Sequence, residues 1–229
     1  MLRPGITDVF FDLDHTLWDF ERNSAIAYSK LFQNHRIDLE INDFLQEYIP
    51  RNLEYWKLYR EGKINKELLR YRRLRDVFDH LGYPVSDNAI NLIAEDYIEI
   101  LGEQTHLMPD ALEILKYLKP QYRLHVITNG FEEVQQRKLK NSGIANYFLE
   151  VVPSERAGVQ KPHPQIFKLA MDAARVAPEN AIMIGDNLEA DILGALATGM
   201  QAIHLNVHND PAHNYCPIIY QLGEIKGKL

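Results

Sequence analysis

The stretch that decides the fold is residues 9–20, which read VFFDLDHTLWDF. Residues 9–11 form a short apolar run, typical of a strand that is buried on both faces. Two aspartates, Asp12 and Asp14, follow that run directly. In open parallel sheets ligands bind beyond the carboxyl ends of the strands, so the pair is a candidate functional site. A polar turn at the end of the strand explains the pair equally well by itself, and the rest of the chain has to decide between the two interpretations.

Downstream of Pro109, helical and strand patterns alternate strictly. Apolar strand patterns occur in RLHVITN, FLEVV, AIMIGD and QAIHLNV, and a helical pattern precedes each of them. This alternation indicates right-handed crossovers and a parallel sheet that is covered on both faces. The predicted fold class is α/β, a doubly wound, Rossmann-like parallel sheet with residues 9–11 in its central strand.

The segment between these regions has a different pattern. Residues 21–104 contain no convincing strand and show four helical patterns, at 22–35, 42–61, 65–81 and 86–103, with Asn65 and Ser86 as N-caps. The third pattern carries Arg70, Arg72, Arg73 and Arg75 between its apolar positions, and we expect them to form a solvated face. The predicted organisation is therefore a core of residues 1–20 and 105–229, interrupted by a four-helix insertion of residues 21–104.

Composition limits the classes of partner. The chain has 229 residues, 46% of them hydrophobic, and a formal net charge of −7. That charge disfavours binding to nucleic acid polymers or anionic membranes and leaves small charged substrates open. No run approaches the ~20 apolar residues of a membrane span, and Asp12 interrupts the first apolar run, so we expect no secretory signal. With Cys216 as the single cysteine, we expect a cytoplasmic protein. The oligomeric state is left open.

Polar side chains also end the later strands of the predicted sheet. They are spread over about 180 residues of sequence and meet only if that sheet forms. Thr128 and Asn129 end the second strand, and Lys161 precedes the helix that leads to the fourth. The set is completed at the fourth strand by Asp186 and Asn187, with Asp191 nearby.

Grouped carboxylates at such a site point to a metal ion. Asp12, Asp14 and Asp186 would raise one another's pKa in a partly desolvated cleft, and a hard divalent cation offsets that repulsion. Mg²⁺ suits a site of carboxylates, a carbonyl and waters that leaves room for a phosphate oxygen. A carboxylate beside the metal can attack phosphorus, and a second acid then protonates the leaving group and activates water. The spacing of Asp12 and Asp14 suits these two tasks.

The remaining polar groups fit the binding of a phosphoryl group. The Thr128 hydroxyl and the backbone amides that follow it can donate to phosphoryl oxygens, and Lys161 supplies a positive charge. Asp191 would orient Lys161 or a metal-bound water from behind. Two plainer interpretations exist, because Thr128 and Asn129 could cap the next helix, and Asp191 could pair with a surface lysine.

These motifs together resemble the haloacid dehalogenase superfamily in its aspartate-dependent phosphatase branch. The match consists of FDLDHTL, ITNG, GVQKPHPQIF and IGDNLEADI in the expected order, and the helical insertion sits where that family places its type-one cap. The resemblance implies Asp12 as nucleophile, Asp14 as general acid and base, and Mg²⁺ held by Asp12, the Asp14 carbonyl and Asp186. It further implies that Thr128, Asn129 and Lys161 bind phosphate, with Asp191 and Asn187 supporting the site. Two departures are visible: His15 stands where glycine is common, and Phe20 where a small hydroxyl residue is frequent.

The resemblance implies a Mg²⁺-dependent phosphomonoesterase that acts on a small phosphorylated metabolite. Within the superfamily, DHTLWDF followed by this cap most resembles the bacterial pyrimidine 5'-nucleotidases; sugar phosphate or N-acylneuraminate 9-phosphate phosphatases are the alternative. Trp18 and Phe20 either contact the substrate or pack against the cap. His15 and His163 are expected to be structural or to lie next to the substrate, and not to bind a metal. A 2-haloacid dehalogenase needs neither a metal nor Asp14, and phospho-acceptor domains are about half this length and lack a cap, so both are less favoured.

Overall fold

The computed structural model describes residues 2–229 and contains a six-stranded sheet in which every neighbouring pair of strands is parallel. The spatial order is β3-β2-β1-β4-β5-β6. The strands are β1 Asp8–Phe11, β2 Arg123–Thr128, β3 Glu150–Pro153, β4 Ala181–Gly185, β5 Gln201–Leu205 and β6 Ile218–Ile219. This topology confirms the predicted α/β fold class, with β1 near the middle of the sheet.

The position of β1 explains its composition. Val9, Phe10 and Phe11 are fully buried although consecutive strand residues face opposite sides of the sheet, so both faces are covered. The register pairs Phe11 with Val126 of β2 and with Ile184 of β4. Asp12 therefore leaves the sheet between two neighbouring strand ends, and its backbone N–H still donates to the Ile184 carbonyl over 3.0 Å.

Helices connect the strands of this sheet. They are α5 Ala111–Leu118, α6 Glu132–Asn141, α7 Ser154–Ala157, α8 Pro164–Ala174 and α9 Gly194–Leu196, with a π-helical segment Leu188–Leu193 directly before α9. Ile166 and Phe167 of α8 pack with Phe10 and Ile127 in one buried apolar cluster. Burial of each such side chain stabilises the fold by about 1.5–3 kcal/mol relative to exposure. This packing holds α8 against β1 and β2, the strands that the site residues follow.

The chain divides into two compact units. The first comprises the segment ending at Phe20 together with Thr105–Leu229, and the second is Glu21–Gln104. The helices of the insertion are α1 Phe20–His35, α2 Ile41–Arg60, α3 Lys66–His80 and α4 Asp87–Gly102. The N-cap predictions are confirmed, since Asn65 accepts from the Leu68 amide and Ser86 from the Ala89 amide. Within residues 2–229, none of the helices combines the length and the apolar composition that crossing a bilayer requires.

The interior of the helical unit is rich in aromatic rings. Tyr28 stacks on Tyr97 with ring centroids 4.3 Å apart and meets Tyr48 edge-on at 4.6 Å. Arg73 lies in this interior with only 2% of its surface exposed, donating to Asn52 over 3.0 Å and lying over the Tyr97 ring. The expectation of a solvated arginine face on α3 was therefore wrong for Arg73. The buried side of this helix includes Arg73 as well as the apolar residues that define the helical pattern.

Candidate active site

Lys161 organises the carboxylates at the end of β1. Its ammonium donates to Asp12 Oδ1 over 2.7 Å and to the Ile127 carbonyl over 2.8 Å, and it lies 2.7 Å from Asp191 Oδ1. Only 2% of Lys161 is exposed. One buried cation therefore lies between two carboxylates that the sequence separates by almost the whole length of the core.

The charge in this cluster is not balanced. Burial raises the pKa of Asp12 well above its usual value, and the charges of Asp191 and Asp186 raise it further, while Lys161 opposes the shift. Burial also raises the pKa of Asp191, again against the effect of Lys161. For Lys161 itself burial acts to lower the pKa, but the two carboxylates outweigh it and raise the pKa above the ordinary value. An additional cation would therefore stabilise the ionised form of Asp12.

Asp186 at the end of β4 is held by groups that the sequence analysis did not identify. Its Oδ1 accepts from the Thr16 hydroxyl over 2.8 Å, and its Oδ2 lies 2.8 Å from His208 Nε2. His204 Nε2 lies 3.0 Å from the Asp186 carbonyl. Burial acts to raise the pKa of Asp186, but the hydrogen bond from His208 and the nearby histidines lower it on balance. The only sequence signal was that both histidines lie within or just after an apolar strand.

The carboxylates form a candidate metal site. One oxygen from each of Asp12, Asp186 and Asp191 lies within 4.8 Å of the others. An all-oxygen donor set with excess negative charge fits Mg²⁺. Asp12 and Asp186 belong to the predicted set, and the Asp191 carboxylate, which was predicted only to support the site, joins them. The predicted contribution of Asp14 was its backbone carbonyl, and that stays a prediction.

Thr128, the last residue of β2, presents its hydroxyl to the same edge of the sheet. Thr128 Oγ1 accepts from the Gly130 amide over 3.1 Å and from Gln135 Nε2 over 2.7 Å. Because both contacts use the oxygen as acceptor, the hydroxyl hydrogen is left to donate. This is the arrangement that binding of a phosphoryl oxygen requires, and the phosphate-binding role itself stays a prediction.

The Asn129 side chain contacts the backbone of Lys161, and the predicted role of Asn129 in phosphate binding stays a prediction. Its Nδ2 donates to the Lys161 carbonyl over 3.0 Å, and its Oδ1 accepts from the Lys161 amide over 2.8 Å. The side chain therefore fixes the backbone that carries the Lys161 ammonium. Among the groups of Asn129, the backbone N–H is the one that suits a phosphoryl oxygen.

Asp191 is fixed by its own loop as well as by Lys161. The Asn187 backbone N–H donates to Asp191 Oδ2 over 3.0 Å, and the Asn187 side chain caps the helical segment that carries Asp191 by accepting from the Ala190 amide. Gly185 leaves the space for this carboxylate, because a Cβ on residue 185 would lie 2.4 Å from Asp191 Oδ2. The glycine of IGDN is needed for this close approach, which sequence reasoning did not identify.

We expect Gly185→Ala to lower kcat about 10- to 100-fold and the free energy of unfolding by about 1–3 kcal/mol, because the added methyl group displaces Asp191 from Lys161. Urea denaturation and steady-state kinetics measure the two effects. Gly227→Ala is the matched control, since a Cβ there meets no atom within 4 Å. Kinetics unchanged in Gly185→Ala would show that the position of Asp191 is unimportant.

Asp14 faces helix α6. Its Oδ1 accepts from Lys138 Nζ over 2.6 Å and its Oδ2 from Gln135 Nε2 over 3.0 Å. Lys138 also lies over the Trp18 ring, 4.2 Å from its centroid. Neither Gln135 nor Lys138 was singled out from the sequence, where they belong to an ordinary polar helical pattern.

The aromatic residues of the opening stretch are covered. Trp18 has no exposed surface and donates from Nε1 to Ser142 Oγ over 3.1 Å, while Phe20 is 8% exposed. The Trp18 ring lies against Lys138, and whether Trp18 and Phe20 contact the substrate stays a prediction.

The two histidines beside the motifs have local explanations. His15 adopts φ 62°, the left-handed region that favours glycine, and its ring lies 5.1 Å from those of Phe20 and His208. That conformation costs roughly 1–2 kcal/mol for a residue with a side chain, which explains why glycine is common there. His163 is the N-cap of α8, with Nδ1 accepting from the Gln165 amide over 3.2 Å. The helix cap supports the expected structural role of His163.

Comparison with known proteins agrees with this geometry. A sequence profile of the haloacid dehalogenase-like hydrolases matches residues 8–199. Pyrimidine 5'-nucleotidase YjjG of Escherichia coli is 31% identical over 202 residues, covering 88% of this chain and 86% of that protein. Pyrimidine 5'-nucleotidase PynA of Streptococcus pneumoniae is 31% identical over 216 residues, covering 93% and 90%. The crystal structure of the HAD-hydrolase YfnB from Bacillus subtilis bound to magnesium has a TM-score of 0.88 and 28% identity, covering 97% of this chain and 98% of that chain.

Proposed function

This chain belongs to the haloacid dehalogenase-like hydrolase family, and from that premise we propose that it is a Mg²⁺-dependent phosphomonoesterase. The observation that carries the proposal is the Asp12 carboxylate, fixed by Lys161 and lying beside Asp186 and Asp191 at the end of the central strand. The resemblance inferred from the four motifs is confirmed at the level of the family. We further propose that the substrates are nucleoside 5'-monophosphates, pyrimidine ones above all.

The proposed reaction has two steps. Asp12 attacks the phosphorus atom, an O–P bond to its carboxylate forms, and the P–O bond to the leaving alkoxide breaks while Asp14 supplies a proton to that oxygen. Asp14 then takes a proton from the water that hydrolyses the aspartyl-phosphate. This assignment is supported by the contact between Lys161 Nζ and Asp12 Oδ1, which holds the attacking carboxylate at the end of β1.

Three groups would stabilise the charge on the transferring phosphoryl group. Lys161 contributes the buried ammonium and Thr128 its hydroxyl hydrogen, and we assign the third contact to the backbone N–H of Asn129, the next residue in the chain. Asp12, Asp186 and Asp191 offer the oxygens for the cation, together with the backbone carbonyl of Asp14. When bound, Mg²⁺ neutralises part of the excess negative charge and favours the ionised form of Asp12.

The proposed substrate class rests on the relatives. Two proteins that align with 88% or more of this chain are named pyrimidine 5'-nucleotidases. We place the enzyme in the reducing cytoplasm, since a single cysteine leaves no partner for a disulfide within the chain.

The proposal is tested by phosphate release from uridine, cytidine, thymidine and adenosine 5'-monophosphates and from sugar phosphates, with Mg²⁺ and with EDTA. We expect kcat/KM to be at least about tenfold higher for the pyrimidine nucleotides than for sugar phosphates, an effect of about 1.4 kcal/mol or more in transition-state binding. Activity should disappear with EDTA and return with added Mg²⁺.

Each part of the proposal has an opposing result. Activity that persists after chelation contradicts the metal requirement. A higher kcat/KM for sugar phosphates contradicts the substrate class but leaves the phosphatase chemistry intact. Halide release from 2-haloacids without a metal, in the absence of phosphate release, would identify a dehalogenase instead.

A further inference from the structure

Helix α6 contacts the loop after β1 through one face. Gln135, Lys138 and Ser142 are three and four residues apart, the spacing that places side chains on the same side of a helix. Gln135 and Lys138 each contact Asp14, and Ser142, directly after the helix, accepts from Trp18. All three contacts cross between distant parts of the sequence, so tertiary packing alone brings them together.

Both oxygens of Asp14 have a donor on this face. Lys138 Nζ lies 2.6 Å from Oδ1, and Gln135 Nε2 lies 3.0 Å from Oδ2. Gln135 and Lys138 are almost fully buried, whereas the Asp14 side chain keeps 21% of its surface exposed. Two buried donors therefore hold the Asp14 carboxylate, and the part of its side chain that is exposed can still contact a reactant.

Gln135 also links Asp14 to Thr128. A primary amide has two N–H bonds, and the Gln135 nitrogen lies 2.7 Å from Thr128 Oγ1 as well as 3.0 Å from Asp14 Oδ2. One amide group thus fixes the distance between the proposed proton donor and the proposed phosphate-binding hydroxyl. Gly130 makes room for it, because a Cβ on residue 130 would lie 2.3 Å from Gln135 Nε2.

The surroundings of Lys138 restrict where its ammonium can lie. It sits 4.2 Å from the centroid of the Trp18 ring and 5.4 Å from that of Phe20. Aromatic faces attract a cation and offer no acceptor that competes with a carboxylate for its hydrogens. Trp18 is fixed in turn by its hydrogen bond to Ser142. The ammonium therefore has a defined place, and so has the carboxylate that it contacts.

We propose that Lys138, together with Gln135, is the positioning group that holds the Asp14 carboxylate for proton transfer to the leaving oxygen. The inference rests on the proposed function, in which Asp14 is the general acid and base. Neither side chain is assigned a contact with substrate: they act through Asp14. Proton transfer requires a heavy-atom separation of about 2.6–3.2 Å from the group that receives the proton, so loss of the Lys138 contact lowers the fraction of complexes in which Asp14 is correctly placed.

The experiment compares two leaving groups in the full-length protein with Mg²⁺. Uridine 5'-monophosphate releases an alkoxide that needs a proton, whereas 4-nitrophenyl phosphate releases a phenolate that is stable without one. The kcat/KM value reports the steps up to release of the first product, so it isolates the acid role of Asp14 from its later role as a base. We expect Lys138→Met to lower kcat/KM for uridine 5'-monophosphate about 30- to 100-fold, mainly through kcat, and to lower kcat/KM for 4-nitrophenyl phosphate by less than about threefold.

Matched variants separate positioning from general damage. Lys140→Met removes a lysine from an exposed position of the same helix and should leave both substrates unaffected. Lys138→Arg keeps the charge and should recover part of the loss on the nucleotide. If Lys138→Met fails to fold, Gly130→Ala tests the Gln135 contact with Asp14 instead, because the added methyl group moves Gln135. Since Gln135 also contacts Thr128, both substrates should lose activity, and the nucleotide should lose more; an equal loss on both substrates would contradict the positioning role.

The outcomes distinguish this inference from the proposed function. Asp14→Asn should show the same dependence on leaving group with a larger loss. If Asp14→Asn shows it but Lys138→Met lowers both substrates equally, or neither, the positioning role is overturned while the function stands. If Asp14→Asn does not discriminate between the substrates, or if the wild-type protein hydrolyses neither, the proposed function fails and the inference fails with it.

Discussion

Replacing Asp12 by asparagine is expected to lower kcat for a nucleoside 5'-monophosphate by at least about 10⁴-fold, because the variant lacks the carboxylate that attacks phosphorus. The same change should not destabilise the fold. Burial and the charges of Asp191 and Asp186 disfavour the ionised form of Asp12, so a neutral amide in its place removes an unfavourable charge. We therefore expect a thermal unfolding midpoint no lower than that of the wild-type protein.

Steady-state kinetics and thermal unfolding measure these two effects on the same preparations. Asp172→Asn is the control, because it makes the same chemical change at an exposed position of α8 and should alter neither property. Retention of more than about one tenth of the wild-type kcat in Asp12→Asn would contradict its role as nucleophile. A large fall in the unfolding midpoint would contradict the charge argument but not the catalytic one.

Replacing Lys161 by methionine is expected to damage both activity and stability. The substitution leaves Asp12 and Asp191 buried without their shared cation, and breaking a buried ion pair in this way costs about 3–5 kcal/mol. Loss of a positive charge at the transferring phosphoryl group should lower kcat by about 10²- to 10³-fold. The combination differs from that expected for Asp12→Asn, in which activity falls but stability does not.

Urea denaturation with and without Mg²⁺ tests the stability effect. Added Mg²⁺ should recover part of the lost stability, because a cation bound to the carboxylates replaces some of the missing positive charge. Lys168→Met, at an exposed position of α8, is the control for the loss of a lysine. If Lys161→Met were as stable as the wild-type protein, Asp12 and Asp191 would not depend on this lysine for their charge balance.

Much of the fold could be predicted because it rests on local patterns. Periodicity of apolar residues distinguishes the strands from the helices, and strict alternation limits the connections to a parallel sheet. Asn65 and Ser86 cap helices through contacts within three residues, so their sequence signals were reliable. Arg73 could not be predicted in the same way, because its burial depends on the aromatic rings of neighbouring helices, which no single helical pattern contains.

Some residues of the candidate site could likewise be predicted from the sequence, and others could not. Asp12, Thr128, Lys161 and Asp186 stand beside the ends of strands or in recognisable motifs, and the carboxyl ends of parallel strands must meet at one edge of the sheet. Their convergence therefore followed from the topology. His208 lies just after an apolar strand and Lys138 in an ordinary polar helical pattern, and only their distances to Asp186 and Asp14 in the folded chain identify them.

The sequence by itself determined the architecture of the core, the helical insertion and the set of charged residues at the strand ends. It could do so because the periodicity of a strand or helix, and the order of these elements along the chain, depend on neighbouring residues only. Only the tertiary structure decided which donors hold those residues. It assigned the Asn129 side chain to the backbone of Lys161 and placed Asp14 against Lys138 and Gln135. A side-chain hydrogen bond requires two groups within about 3 Å. Asn129 and Lys161 are 32 positions apart and Asp14 and Lys138 are 124 apart, so each pair meets that condition only once the sheet and its helices are packed together.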